Sequence, residues 1–138
     1  MRKDIMMEKA TRAFRNYARL GLVGSRSAID TVCKIRGICN DSAALDMLAV
    51  FDTLRLLEFL DDMIALRAVR DIYFATAGSK LHSNEITLRI RRLADEMHCD
   101  DRTIYRRLKK ARDMWEYIRA REKKQTAGKR SLLTKLIT

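Results

Sequence analysis

No proline interrupts this 138-residue chain, and glycine occurs only five times. At the average usage of about 5%, a chain of this length would hold roughly seven prolines. Proline and glycine are the residues that most disrupt helices, by removing a donor or by adding backbone freedom. Their scarcity predicts an all-α fold of helices joined by brief turns. The length suits one compact domain with a hydrophobic core, with room for a short tail.

Residues 3 to 20 read as a helix: Ile5, Met6, Ala10, Ala13, Phe14, Tyr17 and Leu20 recur at spacings of three and four, with Arg12, Arg15 and Arg19 on the other side. Gly21 and Gly24 close it. Ser25 is placed to cap a second helix to about Ile35, with Ile29, Val32 and Cys33 inward, and Gly37 precedes the cap cluster Asn40-Asp41-Ser42. From there to Ala77 no breaker occurs, so the segment is either one helix of about nine turns or two helices bent near Asp61-Asp62. Leu45, Leu48, Phe51, Leu54 or Arg55, and Leu57 or Glu58 outline a stripe, and the apolar Leu56, Phe59 and Leu60 lie well off it. An apolar surface that wraps a helix is buried on more than one side. Either the core of the chain or a homodimer seam satisfies that condition.

Charge divides the chain into three regions. Residues 1–40 are net +6, residues 41–77 net −4 and residues 78–138 net +9, within a total of +11. Residues 1–77 therefore read as an N-terminal helical region with a possible role in oligomerisation, 78–118 as a basic helical region, and 119–138 as a basic C-terminal tail interrupted at Thr126-Ala127-Gly128. A pI near 10.0 points to a polyanionic partner, nucleic acid before an anionic membrane. The N-terminus lacks a continuous apolar core and no stretch reaches the ~18 apolar residues of a span, so a soluble cytoplasmic protein is expected. Three cysteines, Cys33, Cys39 and Cys99, form no Cys-x-x-Cys pair.

The basic region holds the most specific pattern. Ser83 or Asn84 can cap a helix that keeps Ile86, Ile90, Leu93, Ala94 and Met97 on one face. His98 and Cys99 interrupt it, and Asp100 is positioned to cap the next helix through the amides of residues 102 and 103. With Ile104 at zero and about 100 degrees per residue, Leu108, Ala111, Trp115 and Ile118 fall within about 40 degrees and form a buried stripe. Arg102, Arg106 and Lys109 lie opposite, at about 140 to 200 degrees, with Tyr105 and Lys110 beside them. Two helices with so short a turn and a cationic outer face predict a helix-turn-helix at about residues 84 to 118.

The run Leu93-Ala94-Asp95-Glu96-Met97-His98-Cys99-Asp100-Asp101-Arg102-Thr103-Ile104-Tyr105-Arg106-Arg107-Leu108 resembles the general helix-turn-helix pattern, with its small residue at Ala94 and its Thr-Ile pair at Thr103-Ile104. Together with Leu66-Arg67-Ala68-Val69-Arg70-Asp71-Ile72-Tyr73-Phe74 and Lys109-Lys110-Ala111-Arg112, it is similar to the ArpU/RinA group of phage late-gene transcriptional regulators, whose C-terminal part is like region 4 of sigma factors. The resemblance covers about residues 60 to 118. His98 stands where the turn usually has glycine and Asp100 where the cap is usually serine; histidine tolerates a left-handed backbone, and aspartate caps as well as serine.

The resemblance implies a transcriptional regulator of double-stranded DNA with RNA polymerase as a possible second partner. Arg102 and Arg106 would offer bidentate forks to guanine, Lys109 would reach a base or phosphate, and Thr103, Tyr105, Arg107, Lys110 and Arg112 would line the flanking backbone. The tail is expected to follow phosphates electrostatically. Two other readings share these features: a terminase-small-subunit-like packaging protein, and a sigma-region-4-like module that binds polymerase alone. His82, His98 and Cys99 do not form a metal-ligand pattern, and Asp61-Asp62 and Asp100-Asp101, with no accompanying His, Lys or Ser cluster, read as a solvated bend and a helix cap. No metal, cofactor or enzymatic activity is expected.

Overall fold

The computed structural model describes residues 9–21, 26–35, 41–78 and 83–137, with side chains on the last helix described to Arg121. Ile5, Met6, the Ser25 cap, Cys39 and His82 lie outside the described residues. Among the described residues the fold is an all-helical bundle of six α-helices: α1 (Lys9–Arg19), α2 (Arg26–Ile35), α3 (Asp41–Phe59), α4 (Met63–Ala68), α5 (Ser83–Glu96) and α6 (Asp101–Ile137). α4 runs directly into a π-helical segment, Val69–Phe74. Among the described residues there is no strand.

α3 is the central helix, packed against α1, α2, α4 and α6. That explains why apolar residues wrap around it: Met47, Ala49, Val50, Phe51 and Leu57 are buried toward different neighbours. The wrap ends at the C-terminal turn, where Leu56, Phe59 and Leu60 are 38%, 85% and 51% exposed. α1 lays Ala10, Ala13, Phe14 and Tyr17 into the core, and the Phe14 ring stacks on Tyr73 at a centroid distance of 5.5 Å. Arg15 and Arg19, expected on the solvent side, instead reach across to carbonyls of the next connection, Arg15 to Thr76 at 2.6 Å and Arg19 to Ala77 at 2.8 Å. Those carbonyls lie in the turn just past the π-helical segment, and carbonyls beyond a helix end attract guanidinium donors.

The long segment from residue 41 is two helices, bent where Asp61 and Asp62 stand. Asp61 adopts a left-handed backbone with φ 56°. Asp62 then accepts a hydrogen bond from the Ala65 amide at 3.1 Å and so caps α4. The π turn that follows is not signalled by residue spacing; the Ala75 amide bonds the Arg70 carbonyl five residues back, at 3.0 Å. This wider turn is the frame in which Ile72 and Tyr73 are buried.

One core joins all of these elements to the basic region. Ile90, Leu93 and Ala94 of α5 and Ile104, Leu108, Ala111 and Trp115 of α6 belong to the same buried cluster as Phe14 and Leu57. Each large side chain removed from water contributes about 1.5–3 kcal/mol, so α6 is anchored mainly by Ile104, Leu108 and Trp115. The break expected at Thr126-Ala127-Gly128 is absent: α6 continues through it as one helix of 37 residues. A single glycine in a helix costs only about 1 kcal/mol relative to alanine, and the flanking Lys, Arg, Gln and Ala are good helix formers. Arg119, assigned by sequence to the tail, is instead part of the bundle. Its Nε lies 2.6 Å from Asp46 Oδ1, and a second nitrogen meets Ser42 Oγ at 2.9 Å.

Candidate nucleic-acid interface

α5 and α6 are joined by four residues, Met97 to Asp100. The turn is closed by the Cys99 amide bonding the Ala94 carbonyl at 3.0 Å, with His98 in the left-handed region at φ 54°. Asp100 Oδ1 then accepts from both the Thr103 amide and the Thr103 hydroxyl, each at 2.8 Å, which starts α6. The Asp100 carboxyl is held below its ordinary pKa by these two Thr103 hydrogen bonds, with burial opposing and the charges of Arg102 and Arg106 assisting. Asp101 sits on the other side of the turn, 3.6 Å from Arg91 Nε of α5. Both acids thus have structural work inside the turn.

With Ile104, Leu108, Ala111 and Trp115 buried on one side of α6, the opposite side is fixed in solvent. Arg102, Arg106 and Lys109 are exposed there and Tyr105 is half-buried beside them. Lys109 makes an exposed pair with Asp113 at 3.2 Å, an i,i+4 contact of the kind that yields easily to another anion. Past Lys109 the same face changes sign and character. Asp113, Glu116 and Tyr117 are exposed on it, and a shallow groove of about 410 Å³ runs along Arg106, Lys109, Lys110, Asp113, Met114 and Tyr117. The cationic part of the face therefore spans the first three turns of α6.

Three of the cations grouped by sequence with this face have partners elsewhere in the chain. Arg107 Nη1 and Lys110 Nζ both donate to Asp62 Oδ2, at 2.8 and 2.6 Å. Asp62 is buried and both partners are more than a third exposed. Burial alone would raise the Asp62 pKa; the Lys110 and Ala65 hydrogen bonds and the two positive charges outweigh it and leave the carboxyl below its ordinary value. Arg112 is buried and its Nη1 donates to the Tyr73 hydroxyl at 2.8 Å. Thr103, grouped with the backbone contacts, spends its hydroxyl on Asp100.

Reading along the chain missed these pairings because Asp62 and Arg107 are 45 residues apart, and Tyr73 and Arg112 are 39. By sequence Asp61-Asp62 reads as a solvated bend; Asp62 is instead buried, where it caps α4 and holds two cations of α6. Trp115 has a polar role as well, its indole nitrogen donating to the Asp46 carbonyl at 3.1 Å. Arg67 bridges Asp71 and Glu96 at 2.9 and 2.7 Å and ties α4 to the end of α5. Cys33 and Cys99 are not in disulfides. Among the described residues no group of three or more His, Cys, Asp or Glu is placed to hold a metal ion, and no helix is long and apolar enough to cross a membrane.

Compared with protein-family models, curated proteins and solved structures, the chain gives no match.

Proposed function

We propose that this protein binds double-stranded DNA with sequence preference as a transcriptional regulator, with α5, the Met97–Asp100 turn and α6 acting as a helix-turn-helix. The observation that carries the reading is the row Arg102, Arg106 and Lys109, exposed on the opposite side of α6 from Ile104 and Leu108, immediately after a capped four-residue turn. An α-helix fits the major groove, and arginine forks match guanine O6 and N7 there. The first three turns of α6 are short enough to enter a groove while the core holds the rest of the helix. Arg107 and Lys110 act in this reading as the seat of α6 on Asp62 rather than as free phosphate binders, and Arg112 belongs to the core.

The net charge of +11 supplies long-range attraction to a polyanion. Assignment to the phage late-gene type rests on the resemblance of residues 60–118 to ArpU/RinA regulators. The test is selection of bound sequences from random duplex DNA with the full chain, followed by affinity measurements on the selected and scrambled duplexes at physiological salt. A preference of about 10³ or more is expected of a specific binder. Equal affinity for both would remove the sequence-preferring reading, and no affinity for either would leave a polymerase-interaction module as the better account.

A further inference from the structure

α6 turns four side chains of one register away from the core. With Ile104 at zero, Arg102, Arg106, Lys109 and Asp113 lie at about 160, 200, 140 and 180 degrees. Three are cations and the fourth is a carboxylate. Lys109 Nζ donates to Asp113 Oδ2 at 3.2 Å, and the two side chains are 70% and 59% exposed. A negative charge on the axis of a face that meets a polyanion opposes the attraction its neighbours supply.

Other acids near this face have work inside the fold: Asp100 caps α6, Asp101 reaches Arg91, and Asp62 seats Arg107 and Lys110. Among the described residues Asp113 bonds only Lys109, on its own helix. The pair is also not set to support that helix, because an acid four residues after a lysine is the weaker order for such pairs. The charges around it are Arg106 and Glu116, exposed on the same side, and Lys110, which bonds Asp62. Tyr117 follows, with the Arg121 guanidinium 5.8 Å from its ring centroid. The groove beside the pair is lined by α6 alone among the described residues.

A lysine ammonium is a point charge on a flexible stem, with three donors and no acceptor. Left to itself on DNA it goes to phosphate, where the electrostatic gain is largest. With one donor held by Asp113 the pair is neutral and two donors remain. A phosphate then takes the ammonium only by displacing the carboxylate. Guanine O6 and N7 are neutral acceptors side by side in the major groove, and the two remaining donors can meet them while Asp113 keeps the third. The carboxylate also limits the freedom of the Lys109 stem before DNA arrives, which lowers the cost of ordering it there. We infer that Asp113 is a specificity-determining positioning residue, which holds Lys109 as a reader of a guanine edge and disfavours its use as a phosphate contact. The inference rests on the reading of α5 and α6 as a helix-turn-helix.

The experiment is fluorescence anisotropy with the full chain on the selected duplex, on its single-base-pair variants and on a scrambled duplex, each across a salt series. Asp113→Asn removes the charge and keeps the size, and Asp113→Glu keeps the charge. Glu116→Gln removes one charge from the same face and leaves the pair intact. Lys109→Met marks the base pair that Lys109 reads. All three positions are exposed, and helical circular dichroism checks that each variant keeps its fold.

Asp113→Asn is expected to bind the scrambled duplex about two- to fivefold more tightly, the range of an exposed ion pair, with the slope of log K against log salt steeper by up to about 0.9. On the selected duplex it loses preference at one base pair, the same pair at which Lys109→Met loses it. Asp113→Glu keeps that preference, and Asp113→Asn adds no further loss when combined with Lys109→Met. An equal gain on every duplex, matched by Glu116→Gln, is a plain charge effect and overturns the inference. So does preference lost at a different base pair, which would make Asp113 itself the reader of a cytosine amino group. The unaltered chain is measured first. If it shows no affinity, or no preference among duplexes, the sequence-preferring reading falls and this inference with it. If it binds with preference and Asp113→Asn leaves the base profile unchanged, this inference alone falls.

Discussion

Lys110 Nζ lies 2.6 Å from Asp62 Oδ2, and the same oxygen accepts Arg107 Nη1 at 2.8 Å. One buried carboxylate thus draws two of the cations of α6 toward the bundle and leaves Arg102, Arg106 and Lys109 on the solvent side. The cations of one helix fall into a set that seats it and a set that is available to a partner, and the two sets respond differently to substitution.

Arg102→Ala or Arg106→Ala is expected to lose about 1 to 3 kcal/mol of specific DNA binding and to relax preference at one base position, as a lost bidentate contact does. Arg107→Ala is expected to lower the denaturant midpoint while leaving base preference intact. Fluorescence anisotropy on selected and scrambled duplexes, paired with urea unfolding, separates the outcomes. Equal loss by Arg102→Ala on both duplexes would make it a phosphate contact.

Asp62→Asn keeps a capping side chain and removes the charge. Near neutral pH it is expected to cost about 1 to 3 kcal/mol, below the 3–5 kcal/mol of breaking a fully buried pair because Arg107 and Lys110 are more than a third exposed. The Asp62 carboxyl titrates below its ordinary value in the folded state. Its contribution is therefore complete above the ordinary carboxylate pKa and is lost as pH falls through the lowered folded value. Urea unfolding from neutral to strongly acidic pH should show the two proteins converging at the acid end. A constant difference at every pH would place the effect elsewhere.

His98 holds a left-handed backbone at φ 54° in the turn before α6. Glycine takes that conformation without a Cβ penalty, so His98→Gly is expected to be neutral or to stabilise by up to about 1 kcal/mol. His98→Val, β-branched in the same region, is expected to destabilise by about 1–2 kcal/mol or more. Thermal melts of the two variants should move in opposite directions or, for glycine, not at all. A stabilised valine variant would contradict this turn geometry.

Arg119 is largely buried against Asp46, with side-chain exposures of 11% and 20%. Arg119→Ala is expected to cost about 2 kcal/mol or more, since it strands Asp46 and frees the Ser42 oxygens at the start of α3. A truncation that removes the basic extension must therefore end after Arg121 and not at Ile118. A chain ending at Arg121 that unfolds as the full chain does, beside one ending at Ile118 that unfolds earlier, is the outcome that supports this.

The helices themselves were legible from local pattern. Spacings of three and four placed Phe14, Tyr17, Leu93, Ile104, Leu108 and Trp115 in the core, and the capping by Asp100 and the left-handed residue His98 follow from the chemistry of those residues within a few positions of chain, whereas the bend at Asp61-Asp62 was one of two alternatives by residue order. Such features depend on contacts within about one helical turn, which the order of residues alone specifies. What the amino-acid order could not say is which cations stay in solvent. Asp62 meets Arg107 and Lys110, Tyr73 meets Arg112, and Asp46 meets Arg119 only because α3, α4 and the π-helical segment pack on α6. A long basic side chain at the flank of a helix serves a phosphate or an internal carboxylate equally well by sequence. The choice is made by the element that packs beside it, across tens of residues of chain, and so it belongs to the tertiary structure.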